Sequence, residues 1–238
     1  MIPIRDDAPR PGIPVFVPLL ILANVLVFLW TFDMDEELRG PFFENFGLVP
    51  KRFFEGLHSQ GGFAPLWKDS LRPLFSSMFL HAGPMHLLGN MVFLWVYGDN
   101  VELRLGRLRF LLFYFLCGLA AAGFHLAFES GKAVPVVGAS GAIAGVLGAY
   151  LLLFPKAHVL MLVPVFFFIT FIELPAWALL LSWFALQLPP VQGLLGFLEV
   201  HGVAYWAHVG GFAAGCLLLP LFLLGSKGGG KKRKQKRS

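Results

Sequence analysis

The sequence predicts an all-α, polytopic membrane protein: a bundle of six transmembrane helices with a long first extracytoplasmic loop. Three observations carry that prediction. Of 238 residues, 57% are hydrophobic and only 14% are charged, and the mean hydropathy is +0.71. A soluble domain carries roughly 25% charged residues to wet its surface, and 26 Phe and six Trp in so short a chain would aggregate in water. Apolar runs of membrane-crossing character recur along the chain. The few polar residues retained inside those runs fall on shared helical faces, where burial in lipid is costly and marks function.

Residues 1–13 are polar and rich in proline (Pro3, Pro9, Pro11) and read as a flexible cytoplasmic lead-in. The bundle occupies residues 14–225, and residues 226–238 form a basic cytoplasmic tail. The first span, 15–32, is followed by Asp33, Asp35, Glu36 and Glu37 rather than by a small-residue cleavage site, which argues against a signal peptide. From Asp33 to about Ser76 runs a long connection with a Gly61-Gly62 pair and many aromatics. A structureless loop of that length is uncommon, so short helices at the membrane interface are expected.

The remaining spans are placed at 84–97, 108–128, 140–154, 174–188 and 203–224. Residues 159–172 are apolar but interrupted by Pro164. A single helix over 159–188 would run about 45 Å at 1.5 Å per residue, too long for one upright crossing. Glu173 and Pro175 suit a helix start, an acid at the positive end and a proline in the first turn. The fifth span is therefore begun after Glu173, and 159–172 is read as interfacial or partly embedded.

The formal charge of +5 belongs to the tail. Residues 226–238 hold seven Lys and Arg and no acid; without them 12 basic residues face 14 acidic ones. Directly after a span, such a run points to anionic lipid and topology rather than to nucleic acid. With the N-terminus inside, inner segments carry 13 positive charges and outer ones six, five of these in the long first loop. Short flanking segments dominate the positive-inside rule, so both termini are expected in the cytoplasm, in a bacterial plasma membrane. Cys117 and Cys216 lie in apolar segments as small hydrophobes, with no disulfide inferred.

Polar residues stand out on the second, fourth and sixth spans. The fourth opens Gly138-Ala139-Ser140-Gly141, and Gly141 with Gly145 makes a small-residue stripe that admits another backbone closely. On the sixth, Gly211 and Gly215 make a second stripe, with His208 one turn before Gly211 on the same face. Each residue has a bland alternative, Ser140 as a helix cap and His208 as a packing residue. If the two stripes pack together, Ser140 reaches an imidazole, the base that a weakly nucleophilic hydroxyl needs. On the second span, His86 and Asn90 are four apart and share a face; such a pair either holds a developing oxyanion or serves packing. A metal site is the poorer reading, because no Asp, Glu or Cys joins the histidines at ligand spacing.

This ordered set, His86 and Asn90, then Gly138-Ala139-Ser140-Gly141, then His208 with Gly211 and Gly215, resembles the rhomboid family of intramembrane serine proteases. Val101-Glu102-Leu103-Arg104-Leu105-Gly106 is similar to that family's short motif after the second span, and the likeness runs from about residue 71 to 224. The resemblance implies a six-helix protease domain over 14–225, with Ser140 as nucleophile and His208 as general base. It also implies an oxyanion held by His86, Asn90 and the Ser140 backbone N–H, with no metal or cofactor. The implied reaction is peptide-bond hydrolysis through an acyl-enzyme, in transmembrane helices of single-pass or multi-pass membrane-protein substrates.

Two departures from the family pattern stand in this chain. Where many relatives have Trp-Arg in the first loop, the sequence reads Leu71-Arg72-Pro73. Where some carry an aromatic ring four residues after the nucleophile to support the histidine, it has Ala144, leaving Tyr205 and Trp206 as poorly phased substitutes. His81 is read as structural, Glu102 and Arg104 as ties between loop and bundle, and Glu173 as a helix-start residue. His58, His125, His158 and His201 show no partner pattern. The main alternative function is an inactive rhomboid-like protein that binds transmembrane helices without cutting them. Internal repeats and ionisable residues continuing across the bilayer, expected of a transporter or channel, are absent from the sequence.

Overall fold

The computed structural model describes residues 2–165, 167–194 and 203–224. The basic tail and His201 lie outside the described residues. The chain is mostly helical. Helix α1 (Phe16–Phe32) keeps two polar side chains in a buried position by bonding them to its own backbone: Asn24 Nδ2 donates to the Leu20 carbonyl at 2.7 Å and Thr31 Oγ1 to that of Val27 at 3.0 Å. In lipid every polar group needs such a partner inside the protein.

The long connection is helical, as expected. It contains α2 (Glu36–Phe46), α3 (Pro50–His58) and α4 (Phe63–Pro65), then a π-helical turn, α5 (Arg72–Ser76) and a 3₁₀ turn. Arg72 fastens it, its guanidinium lying 4.2 Å over the Phe46 ring and donating to the Asn45 carbonyl. Helix α6 (Pro84–Leu105) begins with proline in its first turn, where a missing N–H costs nothing. Gly106, at φ +89°, ends α6 and turns the chain straight into α7 (Arg107–Phe128), a backbone angle glycine adopts without steric cost. Helices α8 (Ser140–Leu153), α9 (Ala176–Ala185), α10 (Pro189–Leu194) and α11 (Tyr205–Leu223) complete the helical set.

One helix falls within or overlaps each of the six predicted apolar segments. Helices α7 and α11 are by themselves long and apolar enough to cross a membrane; the run Phe63–Phe79 with α6, bent by 79°, makes a third candidate. Helix α9 is ten residues, about 15 Å at 1.5 Å per residue.

Two expectations are corrected. The all-α expectation gives way to a three-stranded sheet: most of residues 159–172, read as interfacial or partly embedded, lies in two paired strands, β2 (His158–Val165) and β3 (Phe168–Pro175). The lead-in 1–13 is not flexible throughout: Ile2–Asp6 forms strand β1, which pairs antiparallel with β2 from Ile2 opposite Leu162 to Asp6 opposite Val159. The order β1-β2-β3 leaves β1 on an edge, where Pro3 is tolerated. Pro164 lies beyond the end of β1, opposite Ile169 in β3. Glu173 consequently sits in a strand opposite Leu160, and the helix starts three residues later.

At the end of β1, Asp6 is locked into the bundle. Its Oδ2 accepts from Asn100 Nδ2 at 2.7 Å and from the Tyr150 hydroxyl, while Arg10 bridges Asp6 and Asp99. Glu102, fully buried, accepts the backbone N–H groups of Val15, Phe16 and Val17 at 2.7–3.0 Å. These are orphan donors of the α1 N-terminus, so the expected tie between this motif and the bundle takes the form of a remote helix cap.

Candidate active site

The helices that bear Ser140 and His208 meet through glycine. Helices α8 and α11 lie so close that a β-carbon at Gly211 would overlap the Gly141 carbonyl, and one at Gly215 the Gly145 carbonyl. Gly145 in turn faces Gly211 and Cys117, and Gly141 faces Ala121 of α7. The two stripes read from the sequence do pack on one another. Gly148 extends the contact against Phe212 and Cys216.

That approach brings Ser140 to His208. Ser140 opens α8, half-buried, and its Oγ lies 2.8 Å from His208 Nε2. His208 is only 9% exposed. Its other nitrogen, Nδ1, is 2.7 Å from Gln187 Oε1, and the Trp183 ring packs against it with centroids 5.8 Å apart. Sequence reasoning missed both supports. Trp206 stacks instead on Phe128 at 4.0 Å, so it does not substitute for the missing aromatic at Ala144. Gln187 gave no signal in the sequence: it follows an apolar helix like any polar residue at a helix end.

His86 and Asn90 line up beside the start of α8. Gly138 has φ +127°, and a β-carbon there would stand 2.8 Å from His86 Nε2 and 3.5 Å from Asn90 Nδ2. Both side chains therefore close on the backbone two residues before Ser140. Asn90 Nδ2 is buried with no hydrogen-bond partner, a donor held ready for an acceptor. The backbone N–H of Ser140, in the first helical turn, adds a second donor of the same kind. His81 is buried and meets His86 edge-on with centroids 5.1 Å apart, a packing role.

A small cavity borders Ser140, lined among others by Gly138, Met78, His125, Ala121 and Ala204. About 30 Å³ of it is open to the centres of water molecules, more than the roughly 10–15 Å³ that one water needs. Among the described residues no three His, Cys, Asp or Glu side chains converge as a metal would require.

A hydroxyl bonded to an imidazole, beside unpaired donors and room for water, is the equipment of acyl transfer. A family profile described as the Rhomboid domain matches residues 68–225. The chain belongs to the rhomboid family. RHOMBOID-like protein 5 of Arabidopsis thaliana is 30% identical over 165 residues, covering 62% of this chain and 53% of its own length. Presenilin-associated rhomboid-like protein A, mitochondrial, of Danio rerio is 33% identical over 107 residues, 44% of this chain and 28% of its own length. Rhomboid protease GluP of Bacillus subtilis is 41% identical over 78 residues, 33% of this chain and 15% of its own length. This rhomboid thus spans about half or less of the length of these relatives.

Proposed function

We propose that this rhomboid is an intramembrane serine endopeptidase that hydrolyses peptide bonds in or near transmembrane helices of membrane-protein substrates. The observation that carries the reading is the 2.8 Å contact between Ser140 Oγ and His208 Nε2. Ser140 Oγ bonds to the scissile carbonyl carbon as its proton passes to His208 Nε2. The tetrahedral oxyanion is received by the Ser140 backbone N–H with His86 and Asn90. The C–N bond then breaks and Nε2 returns its proton to the leaving amine. Water attacks the resulting ester as its proton passes to His208; the C–O bond to Ser140 then breaks, Nε2 returns the proton to Ser140 Oγ, and the new carboxyl terminus is released. An intact substrate helix hides its peptide bonds, so the cleaved stretch must be locally unwound.

The positive-charge asymmetry supports six crossings with both termini cytoplasmic, and the seven charges of residues 226–238 favour contact with anionic lipid. One of the named relatives is mitochondrial and another bacterial, so the comparisons do not decide for the expected bacterial plasma membrane. The test is labelling by a serine-directed fluorophosphonate in detergent, alongside cleavage of a model transmembrane substrate. Ser140→Ala and His208→Ala abolish both. Cleavage that persists in Ser140→Ala overturns the assignment, and capture of the substrate helix without labelling or cleavage by the unaltered chain favours a non-cutting binder.

A further inference from the structure

We propose that Gln187 is a positioning residue, the third member of a hydrogen-bonded chain Ser140–His208–Gln187 that fixes the tautomer of the imidazole. The inference rests on the protease reading of Ser140 and His208 and adds to it a residue from α9 and its following turn. Gln187 is 9% exposed, and both ends of its amide are engaged. Its Nε2 donates to the Trp183 carbonyl at 3.3 Å, one helical turn back. That bond orients the amide, leaving Oε1 facing His208 Nδ1 at 2.7 Å.

The consequence is chemical. An amide oxygen only accepts, so Nδ1 must carry the imidazole proton and donate it to Gln187 Oε1. Nε2 is then left with a lone pair, aimed at the Ser140 hydroxyl 2.8 Å away. The opposite tautomer would place N–H against the Ser140 hydroxyl and two acceptors against each other at Gln187. As His208 takes the serine proton, the amide dipole meets the developing positive charge at Nδ1. A carboxylate in this position would require burying a full charge among Trp183, Phe184 and Phe212, a desolvation cost a neutral amide avoids.

Trp183 serves twice, its carbonyl orienting Gln187 and its ring packing on His208. The imidazole is therefore held from the α9 side. Ala144, where some relatives carry an aromatic, instead lies against Gly211.

The experiment uses the full chain in detergent, with ¹⁵N-labelled histidine and the His208 signal assigned by comparison with His208→Ala. The expected spectrum shows His208 neutral with its proton on Nδ1. Gln187→Met, close in volume but without an acceptor, loses that single tautomer and slows fluorophosphonate labelling about tenfold or more, a part of the roughly 10²–10⁴-fold that a positioned general base contributes. A His208 proton on Nε2 in the unaltered chain, or Gln187→Met labelled at the unaltered rate with an unchanged tautomer, overturns the proposal. A chain whose Ser140 is never labelled, but whose His208 tautomer still depends on Gln187, supports the positioning contact and overturns the protease reading alone.

Discussion

Glu102 and Val17 are joined by a 2.8 Å hydrogen bond that spans 85 residues of sequence, from the first turn of α1 to the C-terminal end of α6. The same carboxylate also accepts from Val15 and Phe16, so one side chain satisfies three helix-end donors. Glu102→Gln replaces one acceptor oxygen with an amide that faces donors. The expected loss is about 1.5–3 kcal/mol, the range for hydrogen bonds to charged groups, read as a lower unfolding midpoint by circular dichroism in detergent. An unchanged midpoint would show that the cap is dispensable.

The glycine contact between α8 and α11 makes a paired prediction. In Gly215→Ala the new methyl meets the backbone of Gly145, which has no rotamer to move away. Overpacking of this kind costs about 1–3 kcal/mol, and the separation of the helices draws His208 from Ser140, so labelling falls with stability. Gly123→Ala, inside α7 with nothing near the added carbon, is expected to gain up to about 1 kcal/mol from helix propensity and to label normally. Equal behaviour of the two variants would refute close packing as the reason for Gly215.

Asn90 should separate stability from chemistry. Its Nδ2 is buried and unpartnered, an arrangement that costs free energy in the resting protein. Asn90→Leu is therefore expected to unfold at the same or a higher temperature while kcat on a model substrate drops on the order of 10²-fold or more, as for loss of one oxyanion donor. KM stays within about threefold, since the donor acts on the transition state. A variant that keeps its kcat removes Asn90 from the oxyanion site.

Acidity acts on the N-terminal strand in an uncommon direction. Burial holds the Asp6 carboxyl above its ordinary value of 3.8, against the opposing pull of the Tyr150 hydroxyl and Arg10. The folded state thus binds this proton more tightly than the unfolded one, and the stability contributed at Asp6 rises as pH falls through the window from that raised value towards 3.8. Asp6→Asn mimics the protonated form, so the melting difference between it and the unaltered chain should shift in favour of the unaltered chain as pH drops. A shift the other way would mean that ion pairing with Arg10 outweighs burial.

The apolar segments were legible because each carries its signal locally, and Ser140, His208, His86 and Asn90 because scarce polar residues on glycine-marked faces are conspicuous in lipid. The sheet was not. Val159 and Met161 are buried while Leu160, Leu162 and Val163 are half-buried, so apolar residues occupy both faces of β2 and blur the alternation that identifies a strand. Its partner β1 lies at the other end of the sequence, beyond any local pattern. Gln187 was hidden for a related reason: only the placement of α9 against α11 brings it to His208.

That remote pairing also imposes an order on assembly. Strand β1 leaves the ribosome ahead of its partner, and the residues it must bond, Val159 to Leu162, follow more than 150 positions later. At roughly 5–20 residues per second of synthesis, the N-terminal strand waits on the order of 10–30 s with its edge unclaimed. Asp6 reaches Tyr150 and Asn100 only once α8 is made. Residues made before any of the helices are thus among the last to find their place, and they close the bundle behind the helix that begins with Ser140.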